Sequence, residues 1–281
     1  MYLPALAVFA IFLIWPVIQG VMLSTTNWDG YSPAYSSAGW SNYQRLLSDP
    51  NFHKAVINTF IFGIGSTLIQ QVVGLFLAIL LDRSGKFSNL LRAVVYLPVL
   101  ISPVVMGTFY YLIFRYRQGG LNGILEAFGF EPVAFLSDSA VAICVIVFIN
   151  SFQFVGVSMI IYLAGLQAIP HEINEAAELD GVNAWQRFTH ITWPMLHPAF
   201  AASVVFNLIG GLKIYDIVKV LTDGGPGYST NSVSTLIGKT YFGSQSAGYA
   251  AAQGFVLFLI IIVFTICMNT FLNRRAKRIG L

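Results

Sequence analysis

Residues 251–272 read AAQGFVLFLIIIVFTICMNTFL. No charged side chain interrupts them, and the run exceeds the about 20 residues that carry a helix across the ~30 Å hydrocarbon layer of a bilayer. A helix is the form expected, because hydrocarbon offers no partners to backbone donors and acceptors. Working outward from this run, five more appear, giving spans at 3–25, 55–81, 93–114, 140–163, 198–218 and 251–273. The alternation of a transmembrane β-barrel is absent. The fifth run is the weakest, since it holds Asn207, Gly210, Gly211, Lys213 and Asp216. The expectation is an all-α integral membrane protein with six transmembrane helices, forming a single domain over 1–281.

Composition agrees. The 281 residues are 56% hydrophobic and only 10% charged, against about 25% charged in soluble domains, too few to cover a soluble protein of this size. The net charge of +3 is small, and the basic residues sit at the ends of apolar runs rather than in a nucleic-acid-binding patch. Cys144 and Cys267 lie far apart inside apolar runs, so neither a disulfide framework nor a zinc site is indicated. The four histidines lack metal-ligand spacing. His171 and His190 fall in one polar loop and are assigned no chemistry. The first run has no basic stretch before it and no small-residue cleavage site after it, so it reads as a span rather than a removed leader.

Six spans place both termini on one side, and positive charge selects that side. If the termini are cytoplasmic, segments 1–2, 82–92, 164–197 and 274–281 face inward. They hold Arg83, Lys86, Arg92, Arg187, Arg274, Arg275, Lys277 and Arg278. The longer outward segments, 26–54, 115–139 and 219–250, hold fewer: Arg45, Lys54, Arg115, Arg117, Lys219 and Lys239. Both ends are therefore read as cytoplasmic. The outward segment 26–54 carries Trp28, Tyr31, Tyr35, Trp40 and Tyr43, aromatics that favour the headgroup level. In 219–250, the run TDGGPGYST cannot continue a helix and marks a turn.

The inward loop 164–197, AGLQAIPHEINEAAELDGVNAWQRFTHITWPMLH, is too long for a connector. Pro170 suits the first turn of a helix, with Glu172 and Glu175 near its positive end. Ala176, Ala177 and Leu179 favour helix, and Gly181 suits the left-handed residue that ends one. A second amphipathic stretch follows, with Trp185, Phe188 and Ile191 three apart, stopping before Pro194. A short helix ending in a turn is a shape that fits a groove on another protein.

Residues 175–198, EAAELDGVNAWQRFTHITWPMLHP, resemble the EAA signature of permease subunits of binding-protein-dependent ABC importers. The matching positions are Glu175, Ala176, Ala177, Asp180, Gly181, Phe188, Ile191, Pro194 and Pro198; Val182 departs from the usual Ala. The stretches 96–114, 162–181, 214–230 and 248–258 are similar to the carbohydrate branch, and LTDGGPGYST at 221–230 is similar to the first of the two paired permeases of maltose and glycerol-phosphate type systems. The resemblance implies the type I importer permease fold and a bacterial or archaeal inner-membrane location. The partners it implies are a second homologous permease subunit, two ATPase subunits, an external solute-binding protein and membrane lipid. The implied solute is a sugar, oligosaccharide or polyol phosphate. The chain lacks a Walker A sequence, so it is expected not to be an enzyme and to bind no cofactor, with ATP and Mg²⁺ on the partner ATPase. Glu175, Ala176, Ala177, Asp180 and Gly181 are the implied ATPase-coupling residues, Glu175 pairing with a basic group on the ATPase.

Polar groups inside spans are costly and mark a solute path or interhelical hydrogen bonds. The candidates are Asn58, Gln70, Gln71, Asn150, Gln153, Asn207, Lys213 and Asp216. For the solute path, Asn150, Gln153, Asn207 and Tyr215 are selected, with Phe152 and Phe154 as possible aromatic platforms. Lys213 and Asp216, three apart, are expected to share a helix face as an ion pair. Two other readings stand beside the importer: a secondary transporter or channel without an ATPase, which would carry an inverted repeat, and a membrane-embedded enzyme. No clear internal repeat and no convergent catalytic motif is present to favour either.

Overall fold

The computed structural model describes residues 2–82 and 85–278. Arg83 lies outside the described residues, as do the side chains of Arg274, Arg275, Lys277 and Arg278, so part of the charge count above rests on sequence alone. Among the described residues the chain is helical, and one isolated bridge, Thr26 to Ser37, stands in place of any sheet.

In chain order the helices are α1 (Leu3–Ser24), α2 (Ser41–Ser48), α3 (Pro50–Leu81), α4 (Lys86–Leu100), α5 (Pro103–Phe114), α6 (Gly120–Ala127) and α7 (Ser139–Gln167). There follow α8 (His171–Leu179), α9 (184–195), α10 (His197–Leu212), α11 (Asp216–Leu221), α12 (Val233–Gly238) and α13 (Ala247–Arg278). The long helices start where the sequence supplies caps. The Asp49 carboxylate accepts from the Asn51 and Phe52 amides ahead of α3, with Pro50 in the first turn. Asp138 accepts likewise from Ala140 and Val141 ahead of α7.

Parallel helices α3 and α7 form the centre. Phe62 packs with Val145 and Ile146 near one end, the Gln70 amide donates to the Asn150 carbonyl at 3.0 Å midway, and Ala78 and Leu81 pack with Tyr162 and Leu163 at the other. Leu81 and Gln167 therefore leave the bundle at the same end. α10 runs back along α7, since its start packs at Gly165 and its Asn207 bonds Ser158. Ala201 and Val204 of α10 meet Leu272, so α13 also finishes at that end. At the opposite end, the carbonyls of Leu23 and Thr26 lie against Gly248, which puts the close of α1 beside the start of α13. The start of α1 and the close of α13 thus share the end of the bundle that carries loop 164–197.

The spans are less uniform than expected. Among the described residues, four helices are long and apolar enough to cross a membrane: Leu3–Ser24, Pro50–Leu81, Ser139–Gln167 and Ala247–Leu272. The expected span 93–114 is broken, with α4 and α5 bent by 95°. The cause is local: Pro103 pushes Ser102 out of the helical region, and Ile101 and Ser102 take extended ψ values of 135° and 134°. The carbonyl freed at Ile101 is met by the Gln153 side-chain amide at 3.0 Å, and Gly156 lets the α4 backbone approach: a Cβ there would sit 2.8 Å from the Val95 oxygen. The expected span 198–218 is also divided. α10 has 16 residues, about 24 Å at 1.5 Å per residue, short of the hydrocarbon thickness. Residues 213–215 leave the helix, and α11 resumes the path. The Ser232 hydroxyl donates to the freed Ile214 carbonyl at 2.7 Å.

Candidate functional site

The loop between α7 and α10 folds as the helix–turn–helix that its sequence indicates. α8 ends at Leu179, and Gly181 takes φ +69°, the left-handed conformation. The Gly181 amide donates to the Glu178 carbonyl and the Val182 amide to the Ala177 carbonyl, each at 3.1 Å. These two bonds make a Schellman stop. The next residue, Asn183, starts α9 through a capping box: its side chain accepts from the Gln186 amide, and the Gln186 side chain accepts from the Asn183 amide. The turn is thus closed from both sides within seven residues, 177–183. An ion pair, Arg187 to Glu178 at 3.2 Å, spans it on the exposed surface.

Two details differ from expectation. Pro170 sits at the N-cap, with extended ψ 138°, and α8 begins at His171. α9 does not stop before Pro194. It opens as Ala184–Arg187, widens into a π turn over Phe188–Thr192 and continues through Trp193–Met195. A proline lacks the amide that a regular helix would use, and the wider turn lies immediately before it. Ring contacts run along this segment, Trp185 to Phe188 at 6.0 Å, Phe188 to Trp193 at 6.3 Å and Trp193 to Phe200 at 5.3 Å, packing α9 down onto α10.

Of the five coupling candidates, Glu175, Ala176, Asp180 and Gly181 are exposed, whereas Ala177 is buried by the chain's own packing. The small size of Ala177 therefore serves this chain itself. Sequence reading missed Leu179 and the degree of exposure of Trp185. At 90% and 72% exposed, they flank the turn with apolar surface that the described residues leave largely open.

The polar span residues separate into two groups. One group pins backbone. Asn58 donates to the carbonyls of Ser229 and Asn231 at 2.8 and 3.0 Å, holding the TDGGPGYST turn. Gln153 caps Ile101, while Gln71 accepts from the Tyr162 hydroxyl and so ties α3 to α7 through side chains alone. The other group faces a cavity of about 300 Å³ between α3, α7 and α10, lined by Gln70, Asn150, Phe154, Phe206 and Asn207 with Gly210 at its edge. A smaller cavity of about 130 Å³ shares Asn150, Phe154 and Gly210 and adds Lys213, Tyr215 and Asp216. Asn150, Asn207 and Tyr215 thus line two cavities that share Asn150, Phe154 and Gly210, and Gln153 lines neither. The Gln70 side-chain oxygen is buried without a partner. Lys213 and Asp216 form no ion pair: the described pairs are Arg187–Glu178 and Lys219–Asp223. The chain leaves the helix between them, so a three-residue spacing no longer stacks the two side chains. Among the described residues no cluster of His, Cys, Asp or Glu is suited to a metal ion.

A family model described as the inner membrane component of binding-protein-dependent transport systems matches residues 70–279. The chain is 34% identical to a probable ABC transporter permease protein of Bacillus subtilis, over 95% of this chain and 93% of that one. It is 32% identical to the trehalose/maltose transport system permease protein of Thermococcus litoralis, over 95% and 90%. Its fold is that of a chain of a bacterial alginate ABC transporter solved in complex with an alginate pentasaccharide-bound periplasmic protein. That match has a TM-score of 0.81 at 24% identity and covers 99% of this chain and 93% of the other.

Proposed function

This chain belongs to the family of inner membrane components of binding-protein-dependent transport systems, and we propose that it forms half of the solute path of a sugar importer driven by a separate ATPase. The solute is a sugar, oligosaccharide or polyol phosphate: relatives named for trehalose and maltose and for lactose support the sugar, and the polyol phosphate rests on the sequence resemblance alone. The other half of the path is a second homologous permease subunit. Two ATPase subunits carry ATP and Mg²⁺, and a solute-binding protein delivers cargo from outside, a reading supported by the alginate transporter's complex with a pentasaccharide-bound periplasmic protein.

The observation that carries this reading is the rigid turn at 177–183. It presents Glu175, Asp180 and Gly181 with uncovered Leu179 and Trp185 at the end of the bundle that also holds the start of α1 and the close of α13. A short helix closed by a Schellman stop and a capping box transmits a push without deforming. An exposed apolar pair beside a carboxylate fits a groove with a basic group, and Glu175 supplies the charge. That end of the bundle faces the cytosol. Closure of the ATPases then moves α8 and α9 together with α10, to which α9 is joined by the Trp193–Phe200 contact. α10 forms one wall of the cavity holding Asn150 and Asn207, so nucleotide state and solute path share one coupling free energy. The solute contacts are Asn150, Asn207 and Tyr215, amide groups and a ring beside Phe154, the combination that orients a sugar.

Co-purification of a tagged chain tests the assembly: a Walker A ATPase and a second multi-span permease are expected with it. Glu175→Lys is expected to leave membrane insertion intact and to weaken ATPase retention and sugar uptake at least tenfold. Uptake at the wild-type rate by that variant, or uphill transport by this chain without an ATPase, refutes the reading.

A further inference from the structure

Residues 25–38 fold back on themselves at the end of the bundle opposite the coupling turn. The Asn27 amide donates to the Ser36 carbonyl at 3.1 Å, the Ala38 amide to the Thr25 carbonyl at 2.8 Å, and the Asn27 side chain accepts from the Ser36 amide at 2.8 Å. The Gly248 amide donates to the Trp28 carbonyl at 2.9 Å, fastening this hairpin to the start of α13. Trp28, Asp29, Ser32 and Tyr35 line an open depression of about 440 Å³. The Trp28 ring is fixed by its own N–H, which donates to the Ser32 carbonyl at 2.9 Å, and lies 5.9 Å from the Tyr35 ring. Asp29 is fixed as firmly. One carboxylate oxygen accepts from the Tyr31 and Ser32 amides at 2.9 and 2.8 Å, the other from the Ser32 hydroxyl at 2.6 Å.

These donors are neutral. They hold the carboxylate ionised, with its pKa lowered to about 2 by the Ser32 hydroxyl and the Ser32 and Tyr31 amides, but they do not cancel its charge. Residues 26–40 contain no Lys or Arg, and neither described ion pair involves Asp29. Three cations of the outward segments are engaged elsewhere: Arg45 lies over the Tyr249 ring, Lys239 over the Tyr228 ring, and Lys219 on Asp223. An uncompensated anion lining the same depression as two aromatic rings is complementary to a cation, which gains from the ring quadrupole as well as the charge. Because ring and carboxylate are already immobilised, little ordering is left for binding to overcome.

Resting on the importer reading above, we propose that Trp28, Asp29 and Tyr35 form a socket for a lysine or arginine side chain of the solute-binding protein, docking it on the external face. Trp, Tyr and Arg dominate the energetics of protein interfaces generally, and Tyr31, at 63% exposed, extends the same surface.

The test uses the assembled importer in nanodiscs and the solute-binding protein that stimulates ATP hydrolysis by the wild-type complex. Asp29→Asn keeps an acceptor for the Tyr31 and Ser32 amides while removing the charge, so the hairpin survives. It is expected to raise the KM for the binding protein several-fold with basal hydrolysis unchanged. Asp29→Lys should raise it about tenfold or more, the difference shrinking in high salt as expected of steering charges. Reversing the matching basic residue of the binding protein to Glu should restore the Asp29→Lys complex. Wild-type KM in Asp29→Lys overturns the proposal. So does a change that follows vesicle headgroup composition and is rescued by no charge reversal, since the occupant is then a lipid. If no solute-binding protein stimulates even the wild-type complex, the importer reading itself fails.

Discussion

Gly181→Ala isolates the coupling turn from every other property of the chain. A Cβ built at this position meets nothing within 4 Å, so the substitution adds no clash and removes no contact. Its whole effect comes from φ +69°, where an L-residue costs roughly 1–2 kcal/mol relative to glycine. That energy loosens the two bonds that close the turn, Gly181 to Glu178 and Val182 to Ala177, and lowers the population of the closed turn by a factor of about 5–30. Hydrogen exchange on the reconstituted complex reads this directly: the Val182 amide should lose protection by that factor, while amides in the middle of α7 are unchanged. ATP-driven uptake should fall with it. Gly181→Asn is the control, because asparagine tolerates the left-handed region through local hydrogen bonding, and should retain most of the protection. If Gly181→Ala exchanges at the wild-type rate at Val182, the turn is held by something other than the left-handed stop, and the account of a rigid coupling element fails.

Two further expectations concern the outer hairpin and the broken span. Asp29 has its folded pKa lowered to about 2 from 3.8, so its stabilising effect is fully present above pH 3.8 and is lost as pH falls towards 2. Limited proteolysis within 27–36 should therefore be constant from pH 8 to about 4 and accelerate below it, with Asp29→Asn insensitive over that range; acceleration already at pH 6 contradicts the assignment. Gln153→Leu leaves the buried Ile101 carbonyl without its 3.0 Å donor, a loss of about 1–3 kcal/mol. It should appear as a lower thermal midpoint of the purified chain, and an unchanged midpoint means that the break between α4 and α5 is satisfied by other groups.

The parts of this structure that were legible in the sequence are those set by one local cause. Residues 251–272 carry no charge and are mostly apolar, which suits a membrane helix. Gly181 writes a left-handed stop, which formed as read; the start two residues on, Asn183 with Gln186, is equally local but went unread. What was not legible depends on how a local fault is repaired at a distance. Pro103 announces that Ser102 cannot be helical, but a 95° bend in an apolar run is tolerable only if a donor reaches the freed carbonyl. That donor, Gln153, comes from a helix about fifty residues later. Read in one dimension, Gln153 is a costly polar group in a span, equally suited to a solute path; its buried position against Ile101 assigns it to the backbone. The same limit explains Lys213 and Asp216. Their spacing places them on one helix face only if the helix continues, and it does not, because the chain breaks at 213–215 and the Ser232 hydroxyl takes the Ile214 carbonyl. In a membrane, where water cannot satisfy a broken helix, each break requires a partner elsewhere in the chain. A polar residue in an apolar span therefore carries two meanings, and the choice between them lies in whether a backbone group nearby has lost its own partner. By that rule Gln153 and Ser232 hold breaks, while Asn150 and Asn207 line the cavity beside unbroken stretches of α7 and α10, which is the ground for proposing them as solute contacts.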